Sequence, residues 1–265
     1  MPTALTSATT TAARTPHRLV LTNPADVQHA ADALADGGVV GHGFANVYAM
    51  TTRPDADVVQ RVNRRHDRPA DGLGSITVPP ERLPDLFDWT QLPPGLTRRS
   101  VLRVVDAFYN LGPFGFRGPA AEPVPSHLTY LEADVVTTQV IAPGYKCPSN
   151  DFLTRALAAA DTDVLHIASA NPADHSPDIT VLEHPDDAAA RSRYPGYRAT
   201  SATILGFYRP VRVAGDRRPQ LLLERHGSLD VDTVRQILDG LGLGLGLVDR
   251  TAPADRQLPL RDWAA

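Results

Sequence analysis

The chain has 265 residues, 42% hydrophobic and 21% charged, which are ordinary globular proportions and enough to bury a core. A formal net charge of −4 excludes a global positive field for nucleic acid, so an RNA contact would need a local patch. One cysteine, Cys147, rules out a disulfide within the chain, and no stretch reaches the roughly 18 apolar residues that span a bilayer, so a cytoplasmic protein without membrane contact is expected.

Residues 1–16 are rich in Thr and Ala and have no apolar signal-peptide core, so 1–18 is read as a disordered leader. Order is expected from about Leu19. Asn23 caps a helix with Pro24 at its first position, Val27, Ala30, Ala31 and Leu34 on its apolar face, and Gly37-Gly38 at its end. Val39 and Val40 open a strand. Residues 55–65 predict a second helix with Val58, Val59 and Val62 inward, and 75–78 a strand. Residues 79–94 are Pro-rich and predict turns with a short helix. For 101–108, periodicity leaves strand and helix open. Residues 111–125, punctuated by Gly and Pro, predict a long loop of the kind that carries function. A strand over 135–141, a helix over 152–160 and a buried strand over 164–168 follow. Residues 174–198 read as a polar loop or lid. Strands are expected over 202–208, 210–213 and 221–223, and Asp230 caps a last helix carrying Val231, Val234, Ile237, Leu238 and Leu241. Interleaved strands and helices argue for an α/β fold with a mixed sheet. One domain is expected over 19–242, followed by a tail or terminal strand over 243–265.

Four ordered segments resemble the YrdC/Sua5/YciO family. Gly37-Gly38-Val39-Val40-Gly41-His42-Gly43-Phe44-Ala45-Asn46-Val47-Tyr48 is similar to the family's GGVVAFPTDTVYGL, with the central Pro-Thr-Asp-Thr replaced by Gly43 to Asn46. His66-Asp67-Arg68-Pro69 resembles KxRP with His for Lys. Tyr145-Lys146-Cys147-Pro148, then Ala168-Ser169-Ala170-Asn171, resemble vRvP and tSAN, with Lys146 where Arg is usual. Ser201-Ala202-Thr203-Ile204 and Arg225-His226-Gly227 resemble PSTIVD and lRpG.

The resemblance implies a single YrdC-like α/β domain, a twisted sheet of mixed parallel and antiparallel strands with flanking helices. It also implies an enzyme that forms a carbamoyl adenylate, as the family does from threonine, bicarbonate and ATP in tRNA modification. ATP with Mg²⁺ and bicarbonate would be the cofactors and co-substrate, and a small amine or amino acid the partner. Arg68, Lys146 and His66 stand at catalytic positions. Asn46, Tyr48, Ser169, Asn171, Thr203 and Arg225 stand at nucleotide- or substrate-binding ones. The cations would neutralise phosphates and the polar side chains would orient them.

The residues also admit plainer readings. Thr203 is a good strand former, Asn171 before Pro172 opens turns, and Cys147 reads as a small semi-buried residue in preference to a nucleophile. His66 in place of Lys exchanges a permanent cation for a group mostly neutral at pH 7. Phe44 and Asn46 remove two hydroxyls where the amino acid would bind, so threonine selectivity should be lost. A rebuilt pocket for another amine competes with a nucleotide- or RNA-binding module without catalysis. His166, His175 and His184 recur every nine residues, which fits neither one helix face nor one strand face, and no metal site is expected. The Gly-Leu alternation after Gly240 follows a helix and is no dinucleotide fingerprint.

Overall fold

The computed structural model describes residues 19–45, 47–65, 74–132, 134–169, 179–184 and 201–251. Helix α1 (Pro24–Ala35) begins where Asn23 accepts a hydrogen bond from the Ala25 N–H at 3.0 Å, and Val27, Ala30, Ala31 and Leu34 are buried. In α2 (Ala56–Arg65), Val58, Val59 and Val62 turn inward. Helix α3 (Arg98–Leu111) settles the ambiguous stretch around 101–108. Thr97 and Ser100 form a reciprocal capping box, and 14 residues bury Val101, Val104, Val105, Phe108 and Tyr109. Helix α4 (Ser149–Ala159) packs against α1, and α5 (Val231–Gly240) starts at Asp230, whose carboxylate accepts from the Thr233 N–H at 2.8 Å.

The strands are β1 (Leu19–Val20), β2 (Val39–Phe44), β3 (Val47–Thr52), β4 (Ser75–Thr77), β5 (Phe114–Pro119), β6 (Tyr130–Glu132), β7 (Val135–Ala142), β8 (Leu165–Ser169), β9 (Ile179–Glu183), β10 (Thr203–Gly206), β11 (Gln220–Arg225) and β12 (Gly246–Asp249). Among the described residues they form one mixed sheet in the order β1-β9-β2-β3-β8-β4-β7-β5-β10-β11-β12, with β6 paired to β7 off this path. The β1–β9, β2–β9, β4–β7, β5–β10 and β11–β12 pairs are parallel, and the rest antiparallel. The expected mixed α/β sheet with flanking helices is the observed one.

Three local expectations are corrected. The loop expected over 111–125 holds β5, a buried strand between β7 and β10. Its glycines are packing residues: a Cβ on Gly118 would lie 2.2 Å from Phe207 Cε2, so only a bare backbone fits beneath that ring. The lid expected over 174–198 contains β9, which lies in the sheet between β1 and β2. Its pairing is with segments about 140 or more residues earlier, a contact that local pattern does not encode. Residues 210–213 form no strand, only an isolated bridge between Val213 and Asp216. At the other end, β12 pairs with β11, so of the tail or terminal strand expected past position 242 it is a strand that continues the sheet. The disordered leader expected over 1–18 lies outside the described residues.

His42 is buried where β2 meets α4, its ring 4.8 Å from that of Phe152. Nε2 lies 2.7 Å from Thr51 Oγ1 and Nδ1 3.3 Å from Gly43 O, so a neutral ring protonated on Nδ1 satisfies both. Burial lowers its pKa from 6.5 to about 4, only partly opposed by the Gly43 carbonyl. A depressed histidine favours folding above its unfolded pKa, and that stability falls away as pH drops from about 6.5 towards 4, because the unfolded chain then binds the extra proton. The full effect is about 3 kcal/mol. Denaturant titrations between pH 4 and 7 should show this acid-side loss, and the His42→Gln variant should show a visibly shallower one.

Candidate functional site

The hairpin between β2 and β3 turns at Ala45, which has a left-handed φ of 57°. Its N–H donates to Cys147 Sγ at 3.3 Å, and that sulfur lies 2.9 Å from Ser149 Oγ. Cys147 is thus a buried tie between the hairpin and the start of α4. The tie sets the exposed Lys146, next in the chain to Cys147, close to the turn of that hairpin. Phe44 faces inward. With Ala49 and Ile167, and with the half-buried Val47 and Ile141, it forms an apolar cluster separate from the main core.

Polar groups border this cluster. Residues directly opposite each other on neighbouring strands project to the same side. Register therefore sets Ser169, exposed at the end of β8, beside Ala49, and Ser75 beside Ile167. The Gln139 amide donates to Ser75 Oγ at 2.6 Å, and Gln139 stands opposite Arg117. Arg117 Nε donates to Thr137 Oγ1 at 3.1 Å, and its guanidinium lies 4.5 Å from the Tyr130 ring centroid and 5.2 Å from that of Tyr208. Tyr130 in turn donates to the carbonyl of Gly74 at 3.3 Å. Burial pushes the Tyr130 hydroxyl above its usual pKa, while the charges of Arg117 and Arg225 pull the other way. Beyond Tyr208, Arg250 Nη1 donates to both oxygens of Glu224 and to the Tyr208 hydroxyl, which donates to Glu224. Burial, then the Glu224 carboxylate, hold Tyr208 well above the normal phenol range.

Of the residues singled out in the sequence, Arg68, His66, Asn46 and Asn171 lie outside the described residues. Ser169 and Arg225 belong to the polar rim, and Lys146 stands by the hairpin. Tyr48 pairs with Gly43 and alternates with Val47 and Ala49, so it projects to the other side of β3. Arg225 is half-buried, with Nε donating to the carbonyl of Ala202 at 3.0 Å. Thr203 is 1% exposed, and its hydroxyl both donates to Leu229 O and accepts from Leu229 N–H, each at 3.0 Å. That geometry makes Thr203 a clamp between β10 and the approach to α5. Thr203→Val should leave two buried backbone groups unpaired and cost about 2 kcal/mol in denaturant unfolding. Ligand affinity per folded molecule should stay unchanged; a loss of affinity at undiminished stability would give Thr203 a ligand role instead.

Arg117, Gln139, Ser75 and Tyr130 were not foreseen. The one signal for Arg117 was a charge alternating with aromatics in Phe114-Gly115-Phe116-Arg117, masked by the glycines around it. Two clefts lie elsewhere. One of about 640 Å³ runs between 93–96 and 210–220 and includes Arg212, Arg217 and Arg218; one of about 550 Å³ lies against α4 and includes Arg82 and Asp163. Neither contains the rim residues. Among the described residues no three His, Cys, Asp or Glu side chains are grouped to hold a metal ion, and no helix is long and apolar enough to cross a membrane.

No family model matches the sequence, and no curated protein matches it. Solved structures do match. Sua5 of P. abyssi, determined in complex with L-threonine, superposes with a TM-score of 0.53 at 15% identity over 85% of this chain and 59% of that one. A variant of the same protein gives 0.54 at 16% identity, covering 81% of this chain and 60% of that one. A hypothetical protein of Streptococcus mutans gives 0.59 at 12% identity, covering 85% of this chain and 95% of that one. The chain therefore spans about three fifths of the length of P. abyssi Sua5 and nearly all of the streptococcal protein. At these identities the likeness is one of fold, and with the mixed sheet and its strand order it establishes that this chain has the YrdC/Sua5-like fold.

Proposed function

We propose that the surface between the β2–β3 hairpin and Arg225 binds ATP and an N-carboxylated amine and joins them as a carbamoyl adenylate. The observation that carries this reading is a strand register that sets Arg225 opposite Ile204 and Ile204 opposite Gly115, on the same side of the sheet as Arg117, whose guanidinium lies 4.5 Å from the Tyr130 ring centroid. A carbamate oxygen would attack the α-phosphorus and pyrophosphate would leave. The substrate supplies the nucleophile, so the protein's part is to position the reactants and neutralise charge. Guanidinium and ammonium groups suit the phosphates, and Ser169 and Gln139 offer directional hydrogen bonds. The described rim offers cations more than carboxylates, so Mg²⁺ would arrive on the ATP phosphates. Phe44 and Asn46 stand where the resemblance has two threonines, and without those hydroxyls a less polar amine than threonine is favoured. Pyrophosphate release from ATP and bicarbonate across a panel of amino acids and amines tests the reading directly. Turnover with an apolar amine and not with threonine is expected; nucleotide binding without turnover on any amine contradicts it.

The replacements at Phe44 and His66 favour a second reading, a nucleotide-binding module of the same fold without catalysis. In that case His66→Lys, which restores the permanent cation, should raise turnover from nothing to a measurable rate.

A further inference from the structure

Arg117 is paired in an unusual way. The residue is 8% exposed, yet its Nη2 is buried and makes no hydrogen bond to any described residue. The nearest anion is Glu132 Oε1, 3.3 Å away in an ion pair that lacks hydrogen-bond geometry. A buried guanidinium nitrogen in this state gives up a charge-assisted bond worth about 1.5–3 kcal/mol. The rest of the group is fixed: Nε is held by Thr137, and the rings of Tyr130 and Tyr208 flank it. Its counter-ion is more open to solvent. The Glu132 side chain is 32% exposed, on a three-residue strand attached to β7 through the Tyr130–Thr137, Leu131–Val136 and Glu132–Val135 pairs. Leu131 of that strand and its partner Val136 on β7 are both exposed and give it no anchor in the core.

We propose that Arg117 is a phosphate-binding residue and that the Glu132 carboxylate occupies its seat until a phosphoryl group displaces it. A fixed guanidinium beside a part-exposed carboxylate that makes no hydrogen bond to it is the arrangement that lets one oxyanion replace another. Arg225, on the same side of the sheet two strands away across β10, adds a second cation, which suits a phosphate better than a singly charged carboxylate. Glu132 moving off would also uncover Nη2. The proposal deepens the nucleotide reading above by naming which buried cation meets the phosphates and what keeps it closed without them.

The test is calorimetric titration of the full chain at low ionic strength with two probes, inorganic pyrophosphate and ATP. Glu132→Gln should tighten pyrophosphate about three- to tenfold, because the competing carboxylate is neutralised. Arg117→Gln should weaken it at least about tenfold. Glu122→Gln, at an exposed carboxylate, controls for net charge and should change little. Glu132 stands on a partly exposed strand, so its variant keeps the test decisive even where Arg117→Gln fails to fold. Unchanged or weaker pyrophosphate binding by Glu132→Gln, or an equal gain in Glu122→Gln, overturns the proposal. A Glu132 effect on pyrophosphate with no binding of ATP upholds the phosphate seat and overturns the nucleotide reading, so the two fail separately.

Discussion

Replacing Phe114 with alanine should cost about 3–5 kcal/mol of unfolding free energy, the range for emptying a packed aromatic site. The ring is fully buried, lies 4.2 Å from that of Phe108 on α3 and 5.2 Å from that of Phe116, and its strand is paired on both sides. With β5 paired to both β7 and β10, it cannot relax without disturbing the two together. Urea unfolding should show a lower midpoint with an unchanged slope. Were 111–125 a surface loop, the same substitution would fall within about 0.5 kcal/mol. The measurement therefore decides between a central strand and a loop.

Gly227→Ala should be nearly as damaging, at about 3 kcal/mol, for the opposite reason: there is no room for a methyl group. A Cβ there would stand 2.3 Å from Ser201 O, 2.4 Å from Thr203 N and 2.5 Å from Ala202 C, all backbone atoms that no side-chain rotation can move. The chain would have to part where Ser228 N–H donates to Ser201 O at 2.8 Å and where Thr203 clamps Leu229. Arg225, anchored on the carbonyl of Ala202, would shift with it, so ligand affinity should fall together with stability. Gly240 is a useful contrast. It ends α5 with nothing within 4 Å of the place a methyl group would take, and alanine there should be neutral or stabilising by up to about 1 kcal/mol. Equal losses at the two glycines would contradict the close approach at Gly227.

These two sites mark where sequence and structure part. Elements with a local signal were legible: α1 through Asn23, Pro24 and its apolar face, α2 through its three valines, and α5 through Asp230. Helix α3 was undecided because its apolar residues fit either period; the capping box of Thr97 and Ser100 settles it. Strand β5 was misread because glycines that admit Phe207 look the same in sequence as glycines that make turns. Strand β9 was missed because its partners lie far away in the chain. The same physics governs the candidate site. Ser169 and Arg225 stood out through their motifs, and the structure puts Ser169 exposed at the end of β8 and Arg225 half-buried on β11. Arg117 was hidden inside a misread strand and became visible only when β5, β6 and β7 brought it against Tyr130 and Glu132. Thr203 matched a motif, yet its hydrogen bonds are spent on Leu229.

The measurement that bears most directly on the central claim is a structure of the protein soaked with ATP. The expected result is phosphate oxygens within hydrogen-bond distance of the Arg117 or Arg225 guanidinium, with Glu132 drawn away from Arg117. Nucleotide bound instead in the arginine-lined cleft between 93–96 and 210–220, with the Arg117–Glu132 pair intact, would contradict it.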